Sequence, residues 1–147
     1  MKTSKLLSKI KECMVKYKPK MQNNQKEGSI NQIMSWYNLE NFNEIMNASI
    51  EGLEEEIDEK ELSDLQNRID QYFGLYAPDD EDFKEFIKAI SVYLTFIAKK
   101  PLHPPGIVFS NGKKVYRKDG VYYCTGKRIF IKDELSLCKC CVCKEIN

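Results

Sequence analysis

The hydrophobic rhythm of this chain breaks at Pro101, and that break decides most of what the sequence can fold into. Upstream, apolar residues recur with the spacing of helices that bury one face. Downstream, prolines and glycines punctuate short β-prone runs. Five of the six cysteines, Cys124, Cys138, Cys140, Cys141 and Cys143, fall in this later part. A mainly α fold is expected, with a helical body of about four helices over residues 1–100. A small cysteine-rich module with a β-hairpin or meander, residues 101–147, is expected to pack on it. A chain of 147 residues can bury a sizeable core without disulfide staples. The N-terminus lacks the apolar run of a secretion signal, because Lys9, Lys11, Glu12 and Lys16 interrupt it. A cytoplasmic, reducing setting is therefore expected, where clustered cysteines point to a metal rather than to disulfides. No apolar run has the length of a membrane span.

Four helices are legible in the body. The first covers Ser4 to Tyr17, with Leu6, Leu7, Ile10, Cys13, Met14 and Tyr17 on one stripe; Cys13 reads as a small core residue. Lys18 to Gly28 reads as a loop. A second helix starts after Ser29, a natural N-cap, and the asparagines at 38, 41 and 43 are expected to divide it. The third runs from Asp58 to Gly74. The acidic residues Glu54, Glu55, Glu56, Asp58 and Glu59 at its start complement the helix dipole, so they need no ligand to explain them. The fourth follows Pro78, Asp79 and Asp80, carries Phe83, Phe86, Ile87, Ile90, Leu94 and Ile97 on one face, and stops at Pro101.

Beyond the stiff Leu102-His103-Pro104-Pro105-Gly106 segment, three short runs are separated by Asn111-Gly112 and Asp119-Gly120. They are Ile107–Phe109, Lys114–Arg117 and Val121–Cys124, and they predict an antiparallel meander. A short helix is expected over Phe130 to Leu137. Cys138-Lys139-Cys140-Cys141-Val142-Cys143 contains two overlapping Cys-x-x-Cys pairs, 138/141 and 140/143. Two intervening residues let both thiolates turn toward one ion. Structural zinc takes four ligands, and His103, the only histidine, can complete a set with Cys124, Cys138 and Cys141. Cys140 and Cys143 are alternative ligands. A reduced, metal-free thiol cluster, with His103 bonded to backbone, is the plainer reading. An iron–sulfur cluster is the competing metal reading, although the spacing matches neither ferredoxin pattern and a nearby histidine favours zinc.

Pro101-Leu102-His103-Pro104-Pro105-Gly106, Tyr122-Tyr123-Cys124, Ser136-Leu137-Cys138 and Cys141-Val142 together resemble an uncharacterised archaeal family, domain of unknown function 2115 (UPF 0305), found mainly in methanogens. The resemblance extends over the whole chain, and the tail carries its specificity. It implies a cytosolic protein with one histidine and three cysteines in the tail, which map to His103, Cys124, Cys138 and Cys141. Thr125 departs from the family pattern, where a proline often follows the cysteine. Cys140 and Cys143 are additions to it.

Charge is divided unevenly. Residues 1–98 carry 12 Lys and Arg against 18 Asp and Glu, and residues 99–147 carry 11 against 4. The basic tail can dock on the acidic body or meet an anionic partner. Three function classes follow. The first is an interaction protein with a structural zinc site and an unknown protein partner. The second is a nucleic-acid-binding module using Lys113, Lys114, Arg117, Lys118, Lys127, Arg128 and Lys132, with Tyr116, Tyr122, Tyr123 and Phe130 for stacking. The alternative for those aromatics is packing on the meander's inner face. The third is a zinc or iron–sulfur enzyme. No His-Glu-x-x-His helix, phosphate loop or dinucleotide fingerprint supports it, and no general base stands out. No membrane partner is expected.

Overall fold

The computed structural model describes residues 1–17 and 29–146. The loop expected over Lys18 to Gly28 lies outside the described residues. Helix α1 (Thr3–Tyr17) buries Leu6, Leu7, Ile10 and Met14. Cys13 is only half-buried, with its thiol facing the Glu85 carbonyl at 3.7 Å. It stands about 100° around the helix from Met14, at the edge of the buried face.

Helix α2 (Ile30–Asn47) opens on a capping box, Ser29 Oγ accepting from Gln32 N at 3.2 Å and Gln32 Oε1 from Ser29 N at 2.8 Å. The expected interruption does not occur. Buried Asn41 donates through Nδ2 to the Tyr37 carbonyl, and Asn47 donates to that of Asn43, both at 2.9 Å. These amides bond within their own helix instead of ending it.

Helix α3 (Glu59–Tyr76) is capped by Asp58 and runs past Gly74. The acidic residues ahead of it hold the chain's start: the terminal ammonium meets Glu56 at 3.1 Å and Lys2 meets Glu54 at 2.9 Å. Helix α4 (Glu81–Val92), capped by Asp80, continues as a π-helical segment, Tyr93–Ala98. That segment ends at Lys99, whose φ is 56°. Helix α1 packs on α2 and α4, and α3 packs on α4, around one core.

The tail differs from the expected meander. Strands β1 (Val115–Lys118) and β2 (Val121–Cys124) form an antiparallel hairpin through Asp119 and Gly120, with φ of 53° and 79°. Those two positive angles give the turn whose twist matches the strands. Ile107–Phe109 contributes only the bridge Val108↔Lys114. The expected helix forms earlier, as α5 (Lys127–Phe130). Asp133 then turns the chain, its Oδ1 taking Leu135 N at 3.0 Å and its carbonyl taking Ser136 N at 3.1 Å. The third strand, β3 (Lys144–Glu145), lies parallel to β2 with Cys124 opposite Glu145. The protein is therefore mainly helical, with five α-helices among the described residues and a small three-stranded sheet near its C-terminus. No described helix is long and apolar enough to cross a membrane.

Candidate metal centre

The tail is pinned where it leaves the body. Tyr37 donates its hydroxyl to the Pro101 carbonyl at 2.7 Å, and Leu102 packs against the helical core. The His103 ring stands edge-on to Phe109, centroids 5.0 Å apart, and Phe109 in turn meets Phe130 at 5.7 Å. Burial lowers the His103 pKa, which favours the neutral imidazole that a metal requires. Cys124 ends β2 facing inward beside Val115. Both join Ile107 and Cys143 in a small core flanked by Ile30, Ile33 and Met34 of α2. Thr125 donates its N–H to the Lys114 carbonyl at 2.9 Å, a ladder bond that proline cannot make.

Residues 138–141 form a tight turn in which the N–H groups of Cys140 and Cys141 both reach the Leu137 carbonyl, at 2.9 and 3.1 Å. Its thiols have different environments. The Cys141 pKa is lowered, chiefly by the neighbouring Cys143 thiol, with the backbone N–H groups of Cys143 and Leu102 and the Lys127 charge acting in the same direction against the cost of burial. Donating to Cys141, together with burial, pushes the Cys143 thiol well above its ordinary range. Cys138 is raised chiefly by burial, and its thiol senses both Cys141 and Cys124. Cys140 points elsewhere, its sulfur facing Asp64 Oδ2 of α3 at 3.9 Å. This placement argues against the 140/143 register.

His103, Cys124, Cys138, Cys141 and Cys143 all line one cavity of about 790 Å³ between tail and body. Its far wall is apolar and comes from α3 and α4, with Ile69, Phe73, Ile87 and Ile90 among its residues. Among the described residues, no three His, Cys, Asp or Glu side chains come close enough together to hold a metal ion as they stand. The expected ligands thus share a wall without closing on a point.

Two residues that spacing did not single out for this site organise it. Arg68 of α3 reaches across to the tail, donating to the carbonyls of Glu134 at 2.7 Å and Ser136 at 3.1 Å. Lys127, grouped above with the phosphate-facing lysines, is buried instead. Its Nζ donates to the carbonyls of Cys141 at 2.8 Å and Cys143 at 2.7 Å. A lysine in a basic run reads as solvated, so only the tertiary structure reveals this role. The stacking surface is also partly engaged within the hairpin. Tyr116 stacks on Tyr123 at 5.4 Å, and Arg117 lies over Tyr122 at 5.3 Å.

Fold and site together define a mainly helical protein whose cysteine-bearing tail closes one side of an apolar cavity. The chain belongs to the family described as "Uncharacterized protein conserved in archaea (DUF2115)", whose model matches residues 3–146. A UPF0305 protein of Methanocaldococcus jannaschii is 41% identical over 115 residues, which are 78% of this chain and 70% of that protein. A UPF0305 protein of Methanococcus maripaludis is 33% identical over 105 residues, 71% of this chain and 64% of its own length. No solved structure matches.

Proposed function

We propose that this chain is a binding protein whose tail is organised by one structural zinc ion, held by His103, Cys124, Cys138 and Cys141. The observation that carries the reading is the shared cavity wall, which His103, Cys124, Cys138 and Cys141 all line. A divalent ion would draw the sulfurs of Cys124, Cys138 and Cys141 and the His103 ring onto one point once these side chains turn inward together. Thiolates with a neutral imidazole suit zinc, and four protein ligands leave no coordination position for a substrate. The zinc would supply a cross-link between three separated segments, worth about 10–16 kcal/mol of apparent binding energy in small zinc domains. The cavity is then the binding site, of a size that suits a small, mostly apolar molecule.

Elemental analysis and absorption spectroscopy of anaerobically purified protein test the reading. One zinc per chain in a colourless protein is expected, and it should be lost in Cys138→Ser/Cys141→Ser. A brown protein with visible absorption would replace zinc by an iron–sulfur cluster. A chain that is metal-free even after incubation with zinc would reduce the wall to a plain thiol core.

A further inference from the structure

Lys127 is 9% exposed, and its ammonium is held only by the carbonyls of Cys141 and Cys143. It forms no ion pair with a carboxylate among the described residues. Buried charges in proteins are usually paired with an opposite charge, and two carbonyls supply only dipoles. The cysteine wall lies beside Lys127, since its ammonium holds the carbonyls of Cys141 and Cys143 and all three side chains line the same cavity.

We propose that Lys127 is the built-in counter-charge and positioning residue of the zinc centre, an inference that rests on the zinc reading above. Zinc with three thiolates and a neutral imidazole carries one net negative charge, and one buried lysine cancels it. Four thiolates would leave a buried charge uncancelled, so the single lysine favours His103 over Cys143 as the fourth ligand. The same ammonium fixes the backbone on both sides of Val142 and so sets where the Cys141 side chain starts. Neighbours that support metal ligands in this way typically contribute about 10- to 100-fold to metal affinity.

The test is a double-mutant cycle read by zinc affinity in chelator competition. Lys127→Met should weaken zinc binding by about 10-fold or more in the natural ligand set. In a Cys138→His background, where the centre is already neutral, the same change should cost only about threefold or less, because no charge remains to balance. An equal loss in both backgrounds would show a backbone clamp without charge compensation and overturn the proposal, as would no loss in the first. Failure of the unmutated chain to bind zinc would sink the zinc reading and this inference with it. If Cys138→His binds no zinc, alkylation of the zinc-loaded protein by iodoacetamide decides. Lys127→Met should react several times faster if its charge quiets the thiolates, and at an unchanged rate if it does not.

Discussion

Gly126 sits where β2 gives way to α5, and a Cβ there would lie 2.3 Å from the Phe130 ring. That ring is wedged against Phe109, which also supports His103, so it has little freedom to retreat. Gly126→Ala should therefore lower stability by about 1–3 kcal/mol, the usual range for overpacking. Urea denaturation checks this, and adding Phe130→Leu should recover part of the loss. An unchanged midpoint would mean that the ring moves aside freely. The sequence made the sulfur residues legible because Cys-x-x-Cys spacing is local and carries its own geometry. It left the direction of Cys140 undecided, since that depends on Asp64 of α3. Lys127 was hidden because burial of a lysine belongs to the tertiary structure.

Helix starts were the legible part of the elements. Ser29, Asp58 and Asp80 cap as their side chains dictate, and Asp119-Gly120 turns the hairpin. The π-helical segment and the parallel β3 were not legible, because neither has a period or turn signature of its own. Glu44 ties that π-helical segment to α2, accepting from Tyr93 Oη at 2.7 Å and Lys100 Nζ at 2.6 Å. Burial alone would raise this carboxyl, but the bonds from Lys100 and Tyr93 outweigh it and hold the pKa below 4.5. The unfolded chain therefore takes up the proton first as pH falls. The stabilisation is complete above about pH 4.5 and disappears as pH drops through the folded value. Glu44→Gln should cost about 1 kcal/mol at neutral pH, a modest figure because solvent screens the partly exposed carboxylate. Thermal melts should show the two proteins converging in acid; a gap that persists at low pH would contradict the assignment.

At the scale of the molecule, the change of rhythm at Pro101 says nothing of how the helices meet the cysteine-bearing tail. Opposite net charges suggested electrostatic docking, yet Arg68 is a cation of the acidic body and binds neutral carbonyls of the tail. Arg68→Ala removes two charge-assisted bonds to the tail, each worth about 1.5–3 kcal/mol, and the ion pair with Asp64 within α3 at 3.2 Å. Hydrogen exchange should accelerate from Ser136 to Cys141 and stay slow in α1 and α4. Zinc chelation should reach further into the tail. A two-stranded hairpin is marginal in water by itself, and the small cluster of Ile107, Val115, Cys124 and Cys143 gives this one little more support. The helical core, by contrast, closes around α1 and α4 with its own buried residues. Removing the ion from zinc-loaded protein should therefore abolish exchange protection across Val115–Cys124 while α1 and α4 keep theirs, a sub-global opening rather than cooperative unfolding. Loss of protection in both parts together would instead mean that the cysteine wall holds up the entire fold.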